Sequence, residues 1–438
     1  MDRGIKRVFK SAAQRILFTF EQFGRHELAN HAAAGAYAFL LSAVPALLVV
    51  VYVSALLARL LNLDVTFAGH MLAPYLETFG GGKALEAFFG KALSVSAAAF
   101  GVVNLVWAGR LFVVSIQRGI RVIFQGSASV NPVRENLLTF AVELVVLLAA
   151  VALIAASQII KAMSASLNWA PIKHLLGAAV PLALSVLPTL ALWLFIFLTY
   201  RNIPPKRPRS KTAALCSALA LCVYGLFGLG VGAILNVERY GILYGILGNL
   251  VVLLIKVYTF FWMYFYGAEL MFTTEHFDAL LFSRFHRNLL SVRQPNTVER
   301  FLFSEPPRLM RKYARQYSAG SLIFEAGDCS REVFFLYKGS VAVYLEKPFS
   351  LPNTVDAQPP QSVSSIHEGE FFGEMASVLD EERSAWALAD ADCTVFVLPP
   401  EVFRRYLEQD KNANSRLIGL LAARLRDNNE RMRCGGRL

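Results

Sequence analysis

Two short runs near the C-terminus hold the residues with the clearest chemistry. Phe371-Phe372-Gly373-Glu374-Met375-Ala376 is followed, nine residues after its glutamate, by Arg383-Ser384-Ala385. The first run sets one carboxylate among glycine and small residues that leave backbone N–H groups open. A helical turn beginning at Gly373 would aim those groups at an anion, because a helix N-terminus carries partial positive charge and unpaired donors. Arg383 can meet a phosphate with two parallel N–H bonds, and Ser384 adds a hydroxyl. Glu374 repels a phosphate but accepts the proton of a sugar hydroxyl. An anion site beside a hydroxyl acceptor is the recognition pattern for a ribose phosphate.

Such a constellation needs a rigid frame, and the flanking sequence reads as one. Residues 321–324, 333–337, 341–344 and 394–398 are short β-rich runs separated by turn residues, the pattern of a small β-roll or barrel. A long Pro- and Gln-containing loop lies between Leu345 and Ser362, and helical runs follow at Val402-Phe403 and over 417–425.

The two runs resemble the phosphate-binding cassette of cyclic-nucleotide-binding domains, roughly F-G-E-[LM]-A followed by R-[ST]-A. Gly320, Gly327, Gly339 and Gly369 fit the same pattern, and the resemblance extends over about residues 313–432. It implies that Glu374 binds the ribose 2′-hydroxyl and Arg383 the cyclic phosphate, with Ser384 assisting. Gly373, Met375, Ala376 and Ala385 complete the cassette, and the implied ligand is cAMP or cGMP. In that family the last helix closes over the base, where Arg424, Asn428 and Asn429 stand available. The competing reading is a β-roll that kept its fold and lost its ligand.

The rest of the chain is of another kind. Of 438 residues, 55% are hydrophobic and 17% charged, against about 25% charged in a soluble domain. This is the composition of a membrane protein. The formal charge of +11 is accounted for by basic loops on the cytoplasmic side, so no nucleic-acid partner is expected. Five cysteines form no C-x-x-C pair and read as free thiols. Residues 1–23 alternate basic and apolar residues without a cleavable signal's apolar core, and read as an amphipathic helix against the inner membrane face.

Apolar segments of about 20 residues or more, enough to span a bilayer, fall near 32–58, 94–117, 137–160, 176–199, 212–235 and 246–272. Turn and charge signals separate them, and 65–93 is compatible with a re-entrant or interfacial helix. Lys and Arg concentrate before the first span, in the second-to-third loop (Arg118, Arg121, Arg134) and in the fourth-to-fifth (Arg201, Lys206, Arg207, Arg209, Lys211). That bias places both termini in the cytoplasm.

A second resemblance lies in these segments. Ala32-Ala33-Ala34-Gly35-Ala36-Tyr37, with Ser42 and Pro45 just beyond, is one part of it. Tyr200-Arg201-Asn202-Ile203-Pro204-Pro205, Tyr244-Gly245 and Tyr266-Gly267-Ala268-Glu269 are the others. Their order and spacing resemble the YihY/BrkB family of six-helix bacterial inner-membrane proteins, once mislabelled ribonuclease BN and often described as transporters of unsettled substrate.

Charges within the predicted spans are Arg110, Glu143, Lys256 and, near a helix end, Glu269. A charge at mid-bilayer costs about 2.5–3.5 kcal/mol on insertion scales, so it usually faces the bundle interior and finds a partner. Arg110 and Glu143 are candidates to pair and line a polar path, or to form a structural ion pair. Snorkelling suits Lys256 and Glu269 better. Enzyme readings find no support: the seven histidines show no metal-ligand spacing, and no nucleophile elbow or P-loop is present. Neither catalytic residues nor a metal or cofactor is expected.

The expected organisation is a cytoplasmic N-terminus (1–31), an α-helical polytopic membrane domain of six spans (32–273), a linker helix (274–312), a soluble β-roll cyclic-nucleotide-binding domain with flanking helices (313–432) and a tail (433–438). The linker, with Phe277, Leu280, Leu281 and Phe285 at helical spacing, reads as an amphipathic helix along the membrane surface. The function expected is transport or channel-like activity biased by cyclic nucleotide. The alternative is a membrane scaffold or envelope-maintenance factor whose C-terminal domain is an interaction module. Partners would be the lipid bilayer, the nucleotide, an unidentified solute and, by analogy with other cyclic-nucleotide sensors, a second copy of the chain.

Overall fold

The computed structural model describes residues 2–60, 95–124, 188–234, 237–290, 297–303, 307–347 and 362–409, with a few further positions in isolation. Its contacts divide the chain into a helical unit, Arg15–Glu275, and a sensor unit made of Met1–Gln14 and His276–Leu438.

The first helix, α1 (Asp2–Arg25), contributes to both units. In the helical unit it is followed by α2 (Leu28–Leu60), α3 (Val95–Phe124), a helical segment over 188–202, α4 (Ser210–Ile234) and α5 (Val237–Glu275). Predicted spans 32–58 and 246–272 fall on α2 and α5, and nearly all of 94–117 and 212–235 falls on α3 and α4. Residues 137–160 lie almost wholly outside the described residues, and 176–199 is described chiefly from 188 onward. Among the described residues, Ser210–Gly230 and Val251–Glu275 are long and apolar enough to cross a membrane.

Close packing here follows from small residues set against aromatic rings. A Cβ on Gly35 would stand 3.0 Å from the Phe261 ring, and one on Gly119 would collide with Phe265. Both glycines let α5 lie close, the usual device where helices pack without a hydrophobic driving force between them. Phe112 meets Phe261 edge to face, as Phe124 meets Phe272. The buried Tyr200 hydroxyl donates to the Tyr264 carbonyl, giving the phenol the partner that burial demands.

The sensor unit begins with α6 (Phe277–Leu290), α7 (Thr297–Phe303) and α8 (Pro307–Tyr313). Among the described residues eight strands follow: β1 (Ala314–Tyr317), β2 (Leu322–Phe324), β3 (Val333–Lys338), β4 (Val341–Tyr344), β5 (Ser364–Ile366), β6 (Phe371–Phe372), β7 (Trp386–Ala389) and β8 (Cys393–Leu398). They form two antiparallel four-stranded sheets, ordered β1-β8-β3-β6 and β2-β7-β4-β5. A short helix α9 (Glu374–Leu379) interrupts the strands, and α10 (Pro400–Gln409) follows them.

β3 shows why its sequence is continuously apolar. Successive side chains point to opposite faces, and both faces are covered. Phe334 joins Phe324 and Phe372 inside the roll, while Phe335 meets Phe282 of α6 on the outside. Gly339 makes the β3–β4 turn at φ 97°, where a Cβ would sit 2.6 Å from the Asp392 carbonyl, so only glycine fits.

The reading of α6 as a membrane-surface helix is corrected. Phe277, Leu280, Leu281, Phe282 and Phe285 are buried within the sensor unit. Phe282 touches Phe335, Phe371, Phe396 and Tyr406, and the Tyr406 hydroxyl is 2.8 Å from His286 Nδ1. The apolar stripe is the same; the surface it covers is a sheet, not lipid. Asp278 on the same helix accepts hydrogen bonds from Arg308 Nε (2.5 Å), Lys312 Nζ (2.5 Å) and the Tyr313 hydroxyl (2.8 Å), tying α6 to α8.

Candidate functional site: a buried glutamate and arginine on one cavity

Strands β2, β4, β5 and β6, the helix α9 and the run into β7 enclose a cavity of about 220 Å³. Its walls contain all seven predicted cassette residues, Gly373, Glu374, Met375, Ala376, Arg383, Ser384 and Ala385. Phe324, Val343, Leu345, Val363, Ile366 and Phe372 make the remainder chiefly apolar, with Ser364 as a further polar side chain. A mostly apolar pocket with a few convergent polar groups suits a small organic ligand.

α9 begins at Glu374, as the sequence implies, with Gly373 at its N-cap in the left-handed region (φ 68°). A Cβ on Gly373 would lie 2.6 Å from Arg383 Nη1, so the glycine serves both the turn and the arginine's approach. Glu374 is 1% exposed and Arg383 4%, whereas Met375 is 44% exposed and Ser384 is also open.

Arg383 is held by more than its own strand. Its guanidinium donates to the Gly373 carbonyl, to the Glu332 carbonyl at 2.6 Å and to Ser330 Oγ at 3.2 Å. It stacks over Phe324 and Phe334, 4.6 and 5.2 Å from the ring centroids. Its Nε–H is buried without a hydrogen-bond partner among the described residues, which leaves a donor for a ligand on a residue that lines the cavity. Burial lowers the arginine's pKa while Asp328, Glu332 and Glu374 raise it; a guanidinium stays charged regardless. Ser330, Glu332 and Phe334 are contributions that the cassette pattern alone did not indicate. The Asp328-x-Ser330 spacing, a side-chain-to-backbone turn signal, was the available clue to the first.

The membrane-domain candidates disperse. Tyr37 is exposed on α2 (67%), Ser42 is buried and donates to the Phe39 carbonyl (2.9 Å), and Pro45 lies within the same helix. Arg110 is exposed on α3, while Glu143 lies outside the described residues, so their pairing does too. Tyr244 and Gly245 sit in the first half of α5. Gly267 is buried, with the Tyr200 hydroxyl 2.5 Å from where its Cβ would be. Glu269 corrects the snorkelling expectation: it is fully buried, with Oε2 3.0 Å from His26 Nδ1 at the end of α1.

The profile of the family described as virulence factor BrkB matches residues 19–282, well over half of the chain. The chain belongs to the BrkB family. A second profile, the cyclic nucleotide-binding domain, matches residues 314–410, so this BrkB-family chain joins a helical N-terminal region to a C-terminal β-sheet domain of the cyclic-nucleotide-binding kind. Among curated proteins it is 32% identical over 118 residues to the cAMP-activated global transcriptional regulator Vfr of Pseudomonas aeruginosa, a match covering 26% of this chain and 51% of Vfr. It is 35% identical over 113 residues to Glutaminase 1 of Bradyrhizobium diazoefficiens, covering 26% of this chain and 16% of that one. The BrkB-family chain thus spans about half the length of the first relative and less of the second. Among solved structures, the catabolite activator protein of Thermus thermophilus matches at 24% identity and a TM-score of 0.24, over 30% of this chain and 58% of that one.

Proposed function

We propose that this BrkB-family chain is a multi-pass protein of the bacterial inner membrane, with six spans and both termini cytoplasmic. In this reading the sensor unit binds cAMP or cGMP and biases a transport or channel-like activity of the helical unit. The observation that carries it is the burial of Glu374 and Arg383 on the wall of one cavity. A carboxylate for the ribose hydroxyls and a guanidinium for the cyclic phosphate are taken out of water beside space for a ligand. The placement in a membrane is supported by α4, whose Leu215, Leu226 and Leu229 are 71%, 68% and 73% exposed. Such a face suits lipid better than water. No catalytic step, metal or cofactor belongs to this reading.

Coupling has a covalent route. A single residue, His276, separates α5 from α6, and α6 packs through Phe282 and His286 on the outer face of the sheet that carries β6 and leads into the cassette. Nucleotide that binds one arrangement of this packing better than another would shift the last span's equilibrium, typically by about 1–3 kcal/mol of coupling. A second reading, a membrane scaffold with a ligand-free interaction module, draws support from Arg383, whose contacts with Gly373, Glu332 and Ser330 satisfy part of its donor set without ligand.

The deciding experiment is calorimetric titration of the full-length protein in detergent with cAMP and cGMP, beside Arg383→Leu and Glu374→Gln. Loss of a charged hydrogen-bond partner costs about 1.5–3 kcal/mol, roughly tenfold to a hundredfold in affinity. No binding to either nucleotide by the folded parent chain would favour the scaffold. Nucleotide-dependent efflux of entrapped K⁺ or Cl⁻ from proteoliposomes would support the regulated pathway.

A further inference from the structure

We propose that Ser330, itself held by Asp328, is a positioning residue for Arg383, fixing the guanidinium in the one orientation that keeps a donor for a ligand phosphate. The inference rests on the cyclic-nucleotide reading of the cavity and names a residue outside the cassette on which that reading depends.

The hydrogen-bond directions follow from the donor inventory. Asp328 Oδ1 accepts the Ser330 backbone N–H at 3.0 Å, and Oδ2 accepts the Ser330 hydroxyl proton at 2.9 Å. With its proton committed, Ser330 Oγ can only accept from a further partner, and arginine can only donate. Arg383 Nη2 is that partner, at 3.2 Å. The relay therefore runs one way, from guanidinium to hydroxyl to carboxylate.

Backbone pairing brings the two loops together independently of any ligand. Arg383 N–H donates to the Asp328 carbonyl at 3.0 Å, and Gly327 N–H donates to the Arg383 carbonyl at 2.8 Å. Phe324 and Phe334 set the plane of the guanidinium, and the Gly373 and Glu332 carbonyls take an N–H from each terminal nitrogen. Among these anchors Ser330 supplies the hydrogen-bonding side chain, the anchor a substitution removes without disturbing the backbone. The Ser330 N–H and hydroxyl both hold the Asp328 carboxyl below its usual range, consistent with a carboxylate engaged by that turn. Next in sequence, Arg331 reaches Asp380, the left-handed C-cap of α9, at 2.5 Å. Residues 328–332 thus touch both Arg383 and the C-terminal end of α9.

The test uses full-length protein with Ser330→Ala, Ser330→Thr, Asp328→Asn and Arg383→Lys, and with Ser330→Ala and Asp328→Asn each combined with Arg383→Lys. Each is titrated with cAMP and with the Rp and Sp phosphorothioate diastereomers, which replace one or the other exocyclic oxygen by sulfur. Loss of the hydroxyl that accepts from the charged guanidinium predicts about tenfold weaker cAMP binding in Ser330→Ala. A guanidinium free to turn discriminates less between the two oxygens, so the Rp/Sp affinity ratio falls as well. Ser330→Thr keeps the hydroxyl and restores both. Asp328→Asn weakens binding less than Ser330→Ala, and neither adds to the loss in Arg383→Lys. Parent-like affinity and ratio in Ser330→Ala overturn the positioning role alone. A uniform loss with an unchanged ratio and a lowered melting temperature also overturns it, as mere destabilisation. A folded parent chain that binds neither nucleotide overturns the site, and the inference with it.

Discussion

In the sensor unit Glu374 and Arg383 are nearly fully buried and border a cavity, whereas in the helical unit Glu269 is fully buried against His26 among packed neighbours, Ala268 at 0% exposure beside it. Both arrangements take a carboxylate out of water, which is costly without partners. They differ in what surrounds the charge. Arg383 is braced by carbonyls, a hydroxyl and two rings while its Nε–H stays available. Glu269 has one oxygen on His26, and its Oε1 has no hydrogen-bond partner among the described residues. A braced charge beside a void describes a binding site; a paired charge in solid packing describes a clasp between α1 and α5. Burial alone does not separate the two, and the space next to the charge does.

The comparison can be broken most directly at His26. His26→Ala removes the hydrogen-bond partner of a buried carboxyl and should destabilise the helical unit by about 3 kcal/mol, the upper end for a buried polar group left unpaired, read as a lower melting temperature in detergent. Glu374→Gln, beside a cavity that water can enter, should leave the ligand-free melting temperature nearly unchanged while weakening nucleotide binding. Equal destabilisation by the two would erase the distinction between clasp and site.

A smaller effect is expected at Gly373. Gly373→Ala forces a side chain into the left-handed region and against Arg383, a strain of about 1–3 kcal/mol. Nucleotide affinity should fall with stability, because the strained turn and the arginine are in contact. Unchanged affinity would show that the turn and the guanidinium act separately.

The smallest effect concerns acid. Burial opposes the charged form of Asp278, but hydrogen bonds from Arg308, Lys312 and Tyr313 together outweigh it and hold the carboxyl below its usual range. A carboxyl depressed in the folded state binds fewer protons there than when unfolded. Its contribution is therefore complete above the ordinary carboxylate value of about 4 and is lost as pH falls below that value. Melting of the sensor unit between pH 5 and pH 3 should show this slope, and Asp278→Asn should flatten it. An identical slope in the variant would place the acid sensitivity elsewhere.

Much of the site could be read in one dimension because its parts are local. Gly373, Glu374, Arg383 and Ser384 lie within twelve residues, and their types alone specify a turn, an acceptor and an anion donor. β3 and β8 were equally legible from their apolar β-branched and aromatic runs. β1, reading Ala-Arg-Gln-Tyr, was not, because pairing with β8 rather than intrinsic preference makes it a strand, and β6, two phenylalanines paired with β3, is too short for any periodicity to show.

The membrane-type composition, the cassette and the positions of its flanking glycines are all legible in one dimension. These depend on residue chemistry and on spacings of a few positions. The tertiary structure alone decided which surface an apolar stripe would cover and which distant group would meet a buried charge. The apolar stripe of α6 reads as a membrane-surface helix, yet it covers Phe335, Phe371 and Phe396 of a sheet. Glu269 is 243 residues from His26, and Arg383 is 53 from Ser330. Partners so far apart are set by how whole elements pack, and no local spacing encodes that.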